Sequence, residues 1–211
     1  MLKPDTTLTS FIKQLQSRIA EIPPTRYVEA GDVKCFCGVD ISYKTDRAAA
    51  AAVLWNIRSD EVVETKIVQG EPPFPYVPGL LFMREAPLMT AAVKALSKQP
   101  DIILVDGHGI AHPRRAGLAV FVGLALDTPS IGVAKSLLVG KIGESKEGFA
   151  PILLNGSTVG FQVNVGRRRP LFVSPGYGVH LESIREILDR LGAGFPKVLL
   201  EADKMSRASL R

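Results

Sequence analysis

Sulfur is scarce in this chain: two cysteines in 211 residues cannot build a disulfide framework. They stand two apart in Val33-Lys34-Cys35-Phe36-Cys37-Gly38-Val39-Asp40, so both fall on one face of a strand. A bridge between strand neighbours this close would distort the pleat, and a zinc site would need further ligands at suitable spacing. Both cysteines therefore read as small core residues. Long apolar runs are also missing; Ala48 to Leu54 is far too short to span a bilayer, and no secretory signal is evident. The expectation is a cytoplasmic protein in a reducing compartment, with no membrane partner. Phosphate-loop and nucleophile-elbow motifs are absent, as are internal repeats and low-complexity segments.

Neither sign of charge is in large excess, since 26 Lys and Arg against 21 Asp and Glu leave a formal +5. The chain as a whole is not a polycation, but positive charge gathers at Pro113-Arg114-Arg115 and at Arg167-Arg168-Arg169-Pro170. Such clusters suit a polyanion such as nucleic acid, although each taken alone also fits a solvated surface. The length is that of one domain, residues 1–211, with a sizeable core; a monomer is the simplest expectation.

What is present has a clear order. Leu8, Phe11, Ile12, Leu15 and Ile19 repeat at helical spacing until Pro23-Pro24, predicting an amphipathic helix that covers the fold. Extended segments follow at about Val33–Ser42, Arg47–Ile57 and Val62–Val68, joined by the tight connections Lys44-Thr45-Asp46 and Ser59-Asp60, as in an antiparallel meander. Pro72 to Gly79 carries four prolines and reads as a rigid surface loop. A helix from about Ala86 to Ser97 leads into the strand Ile102–Val105, and a second, Gly117–Leu126, into the strand Ser130–Ala134. A meander followed by crossover units predicts an α/β fold with one mixed sheet flanked by helices. Beyond Gly143 the pattern gives a hairpin of Ile152–Leu154 and Val159–Val165, then Leu171-Phe172-Val173. A helix from about Leu181 to Leu191 and a shorter one after Pro196 complete the chain.

The run Ile102-Ile103-Leu104-Val105 reads as a strand buried on both faces, and it stops at Asp106 before a loop of Gly, His, Pro and Arg. Ligands of open α/β sheets bind beyond the carboxyl ends of strands, which places Asp106 where chemistry is done; the bland alternative is a turn-forming Asp before Gly. Alternation puts Asp40 on the face opposite the cysteines, near the end of its strand. If that strand neighbours the one ending in Asp106, two carboxylates converge, and Glu85, at the entry of the first crossover helix, supplies a third. Three close carboxylates repel unless cations separate them, and Mg²⁺ takes hard oxygen ligands of this kind. Lys135 ends its strand at the same edge, where it either stabilises phosphate charge or merely snorkels. His108 and His112 have the spacing of helical zinc ligands, but Gly107, Gly109 and Pro113 argue against a helix. Gly107-His108-Gly109 also lacks the third glycine of a dinucleotide fingerprint.

These motifs together resemble the endonuclease V family of deoxyinosine-directed nucleases with a ribonuclease H-like fold. The resemblance rests on Gly38-Val39-Asp40, on Pro75-Tyr76-Val77-Pro78-Gly79-Leu80-Leu81 with Arg84-Glu85, on Asp106-Gly107-His108-Gly109 through His112-Pro113-Arg114-Arg115, on Gly132-Val133-Ala134-Lys135 and on Ser174-Pro175-Gly176. It implies Asp40 and Asp106 as Mg²⁺ ligands, with Mn²⁺ able to substitute, Glu85 as the catalytic glutamate and Lys135 as the catalytic lysine. Asp203 aligns with a frequently acidic position and is a fourth metal-site candidate. Pro75, Tyr76, Val77 and Pro78 would form a wedge that parts the strands; Gly79, Leu81, Gly117 and Leu118 would line the base pocket. His112, Arg114, Arg115 and His108 would contact phosphates. Three positions depart from the family: Tyr177 stands for a usual His, Val198-Leu199-Leu200-Glu201 for a Pro-Thr-Arg segment, and Phe82-Met83 for a small-Phe pair.

The implied activity is Mg²⁺-dependent hydrolysis of the second phosphodiester bond 3′ to deoxyinosine in DNA, leaving 3′-hydroxyl and 5′-phosphate ends, as in DNA repair of deaminated adenine. Inosine in RNA is the neighbouring alternative. A non-catalytic nucleic-acid-binding module on the same fold would have no use for negative charge facing phosphates. A small-molecule hydrolase would need neither wedge loop nor arginine clusters.

Overall fold

The computed structural model describes residues 5–166, 169–192 and 194–211. Arg167 and Arg168 of the second basic cluster lie outside the described residues. Helix α1 (Thr6–Ile19) is capped by Asp5, whose carboxylate accepts from the Thr7 N–H at 3.1 Å. Its packing differs from the periodic reading: Leu8, Phe11 and Leu15 are 46%, 54% and 46% exposed, while Ile12 and Gln16 are buried. The covering role thus falls to a narrow stripe that includes a polar residue.

Strands β1 (Cys35–Lys44), β2 (Arg47–Asn56) and β3 (Glu61–Gly70) form the expected antiparallel meander. Helix α2 (Leu81–Lys94) begins five residues before the sequence-based start at Ala86. Pro87 suggests a helix beginning there, because proline favours the first turn; here it lies inside the helix instead. Glu85 consequently sits in the second turn and not at the helix entry. Strand β4 (Ile102–Asp106), helix α3 (Leu118–Leu126) and strand β5 (Ser130–Ala134) complete the crossover units.

A two-residue strand β6 (Lys141–Ile142), the hairpin β7 (Phe149–Leu154) and β8 (Ser157–Val163), and β9 (Leu171–Pro175) extend the same sheet. Among the described residues its nine strands run β3-β2-β1-β4-β5-β9-β8-β7-β6, with parallel pairing of β1 to β4 and β4 to β5 and antiparallel pairing elsewhere. Helix α4 (Ile184–Leu191) is followed by α5 (Gly194–Ala208), which is the longer of the two, contrary to the sequence expectation. Phe195 and Pro196 interrupt its start, and apolar residues beyond them carry the helix over the sheet.

The two faces of the sheet hold separate cores. Phe36, Ile102, Leu104 and Val198 pack on the α4 and α5 side; Cys35, Cys37, Val39, Met89 and Val122 pack on the α2 and α3 side. Both cysteines are free and buried, and burial pushes the Cys37 thiol up to about 12. Ala48 through Ala52 are fully buried in β2, and such small side chains let α2 and α5 approach the sheet from opposite sides. Among the described residues no helix is long and apolar enough to cross a membrane.

Candidate active site

Sheet register creates the site. In the parallel β1–β4 pair, Val39 lies opposite Val105, so Asp40 and Asp106, one step further along each strand, emerge side by side. Both share strand parity with residues of the α5 core face, Asp40 with Phe36 and Asp106 with Leu104. Asp203 on α5 comes down onto them from that side, and its carboxyl is within hydrogen-bonding influence of Asp40. Glu85 reaches the same trough from α2, and Asp40, Glu85, Asp106, His108 and Lys135 all line it.

Burial and charge set the protonation of this group. Asp40 is 6% exposed, and its carboxyl is held well above the usual range, first by burial and then by the charge of Asp106. The Ile41 N–H and Lys135 oppose that rise. Glu85, 8% exposed, is pushed up to about 7 by burial, with Asp106 adding to the rise, while a hydrogen bond from Tyr43 Oη at 2.9 Å and the charge of Arg84 counter it. Lys135 Nζ pairs with Asp106 Oδ2. Burial would lower the lysine, but the pull of Asp106, Asp40 and Asp203 prevails and its pKa is raised.

The donors suit a hard divalent cation: oxygen ligands on adjacent strand ends, carrying negative charge that the fold alone only partly offsets. Among the described residues no three His, Cys, Asp or Glu side chains already close around one point. Lys135 stands in as the direct partner of Asp106.

The residues expected to form a wedge and base pocket lie, apart from Leu81, in a second region. Tyr76 is 68% exposed at the tip of the Pro75–Pro78 loop. The loop hangs from two arginines: Arg84 Nη1 donates to the Phe74 carbonyl at 2.8 Å, and Arg114 Nη2 donates to the Gly79 carbonyl at 2.7 Å. Gly79 has φ +77°, which favours glycine, and a Cβ there would meet Arg114 Nη2 at 2.6 Å and push the guanidinium off the Gly79 carbonyl. Arg114 is held in turn by Gln16, whose Oε1 accepts from Nε at 2.6 Å while its Nε2 donates to the Ala116 carbonyl at 2.6 Å. Leu81 lines the catalytic trough, whereas Gly117 and Leu118 are buried. Gly117 donates to the Gly109 carbonyl at 3.0 Å, and a side chain there would collide with the His108 and Gly109 carbonyls. That glycine is thus required by loop-on-loop packing.

The four expected phosphate contacts divide. His112 is 4% exposed, its Nδ1 accepts from the Arg114 N–H at 3.2 Å, and burial, with Arg114 and His108, lowers it to about 4. His112 is therefore buried in the brace, and Arg114 is half-buried there. Arg115 is exposed, and His108 borders the trough with its ring against the Ser136 carbonyl at 3.0 Å. Burial lowers the pKa of His108.

Tyr177 is remote from the acids and acts as a strut: its hydroxyl donates to Asp127 at 2.8 Å and accepts from the Thr25 N–H at 3.0 Å. Phe82 stacks on Phe121 at 3.5 Å between ring centroids and joins α2 to α3. Two contributors, Tyr43 and Gln16, escaped the sequence reading. Gln16 follows Ile12 by one helical turn, so a polar residue on the buried face of α1 was the available signal. Tyr43 shares strand parity with Val39 and Ile41, which face α2.

A profile of the Endonuclease V family matches residues 13–204. An endonuclease V of Saccharolobus islandicus is 43% identical over 200 residues, covering 95% of either chain. The crystal structure of the endonuclease V of Streptomyces avermitilis superposes with a TM-score of 0.85 at 32% identity, covering 99% of this chain and 94% of that one. That of Ciona intestinalis, solved with a 24mer DNA containing an inosine followed by a ribo-adenosine, gives 0.84 at 24% identity over 98% of each chain.

Proposed function

The chain belongs to the endonuclease V family and is a hydrolytic nuclease, and on that premise we propose that it recognises deoxyinosine in DNA and cuts the second phosphodiester bond on its 3′ side with Mg²⁺. The observation that carries this reading is the register placing Asp40 beside Asp106, with Glu85 and Lys135 on the same trough. Asp40 and Asp106 would hold the metal, Asp203 and Glu85 completing its surroundings. When bound, Mg²⁺ offsets phosphate charge and lowers the pKa of water.

The protein's own groups supply the remainder. Lys135 lies beside Asp106 and can shift its ammonium onto a phosphate oxygen as negative charge builds up in the transition state. Glu85, with a pKa near neutrality, is matched to accept a proton from attacking water, and Tyr43 fixes the oxygen not so engaged. Tyr76, exposed on a loop held by Arg84 and Arg114, can fill the gap left by an extruded base; unstacking costs of order a few kcal/mol. Arg115, which is exposed, would meet the backbone.

The test is single-turnover cleavage of an end-labelled duplex carrying one deoxyinosine, with Mg²⁺ or chelator. A Mg²⁺-dependent nick one nucleotide beyond the lesion, with 3′-hydroxyl and 5′-phosphate ends, is expected; cleavage in chelator or at another bond rejects the reading. The ribonucleotide beside inosine in the Ciona intestinalis complex keeps inosine in RNA as a second substrate, and equal or faster cutting of a matched RNA strand would favour it.

A further inference from the structure

Asp106 and Lys135 border two spaces. On one side lies the trough with Glu85, Leu81 and His108, where Leu81 follows the 75–78 loop by three residues in the chain. On the other side a separate cleft of about 200 Å³ opens between β5, β9 and the start of α5, with Asp203 at its catalytic end. We propose that this cleft is a subsite for the nucleoside across the scissile phosphate from the lesion, the second nucleotide 3′ of deoxyinosine, which carries the 5′-phosphate after cleavage. The proposal rests on the cleavage position given above.

Three observations support it. First, a phosphate at Asp106 and Lys135 has a nucleoside on each side; the trough holds Leu81, at the start of the helix that the 75–78 loop leads into, which leaves the cleft for the other one. Second, the walls are apolar, formed by Leu171 of β9 and by Pro196, Leu199 and Leu200 of α5, while Lys135 and Arg169 place positive charge at its edges. That combination suits the faces of a base beside its phosphate. Among the described residues its polar groups, Asp106, Lys135, Arg169 and Asp203, are all charged and its walls are apolar, so the subsite would hold a base by its faces and accept any base. Third, the volume lies below the roughly 300 Å³ at which sites for larger ligands begin, which fits one ring system.

The experiment pairs substrate and protein changes. Deoxyinosine strands carry an abasic tetrahydrofuran residue at either the second or the fourth nucleotide 3′ of the lesion, and kcat/KM is measured with Mg²⁺ for the wild type and for Leu200→Ser, whose site is 41% exposed and tolerant of change. Removing the second base should cost the wild type about 5- to 10-fold and removing the fourth little. Leu200→Ser should lose a similar factor on the intact strand and then be indifferent to loss of the second base. Equal wild-type rates on all strands, or losses that simply multiply, overturn the subsite while the cut at the second phosphodiester bond persists. A cut elsewhere, or none, is visible on the same gel; it overturns the cleavage reading and the subsite with it.

Discussion

The acid floor proposed for catalysis and the brace behind the proposed wedge loop are built by different means. The floor consists of Asp40 and Asp106 on neighbouring parallel strands, with Glu85, Asp203 and Lys135 added from α2, α5 and β5. Its geometry is fixed by backbone pairing in the sheet centre, so little beyond the strands is needed to hold it. The brace joins the wedge loop to α1 and to the 107–117 loop through a few side-chain hydrogen bonds centred on Arg114 and Gln16. The floor thus concentrates charge that the fold must tolerate, while the brace distributes polar contacts that the fold uses. Damage to the two should be separable: one sets rate, the other selection.

The sharpest break of that comparison is Asp40→Asn. It should lower single-turnover cleavage by about 10²- to 10³-fold while duplex binding persists; binding lost in parallel with cleavage would merge the two regions. Next is the stability of the floor itself. Asp40 and Glu85 have folded pKa values raised by burial, so the native state binds more protons than the unfolded chain between about pH 4 and their folded values, about 7 for Glu85 and likewise raised for Asp40. Stability is therefore fully present below the unfolded carboxylate values and is lost as pH rises through the folded ones. In chelator, urea unfolding should show a decline of order 1–3 kcal/mol from pH 5 to pH 8. Asp40→Asn should reduce it, and Mg²⁺ should flatten it. A wild-type profile that rises over this range would refute the assignment.

The brace is probed by Gln16→Met, which keeps bulk and removes both hydrogen bonds. Discrimination between inosine and adenosine strands should fall about 10-fold, with the maximal rate on inosine changing less than about threefold. Hydrogen exchange at 79–81 and 116–118 should quicken while β1 and β4 stay protected; uniform loss of rate and stability would mean a purely structural role. The smallest effect is expected from Tyr43→Phe. Its hydrogen bond lowers the Glu85 pKa, so removal should move the acid limb of the pH–rate profile to higher pH; an unmoved limb would detach Glu85 from proton transfer.

Much of the floor was legible because it obeys local rules. An unbroken apolar strand ending in Asp106 and the alternation that sets Asp40 opposite two cysteines follow from period-two geometry. The helix carrying Glu85 was less legible, since Pro87 imitates a helix start and hides the first five residues of α2. The brace was not legible: in a basic loop His112 and Arg114 suggest phosphate contacts, and no local pattern signals that His112 is buried and that Arg114 is engaged by Gln16 and Gly79. The apolar spacing of α1 likewise suggested burial of Leu8, Phe11 and Leu15, which face outward.

By itself the sequence determined the α/β class, the meander and crossover order, the strand ends that bear the acids, and the family. Those properties are written in short-range periodicity and motif spacing, which act over one strand or one helical turn. Only the tertiary structure decided that Val39 pairs with Val105, that Asp203 descends onto Asp40, that α1 grips a loop 100 residues away through Gln16, and that a cleft opens beside Lys135. Such pairings depend on sheet order and on side chains competing for the same buried space, and no local pattern encodes the outcome of that competition.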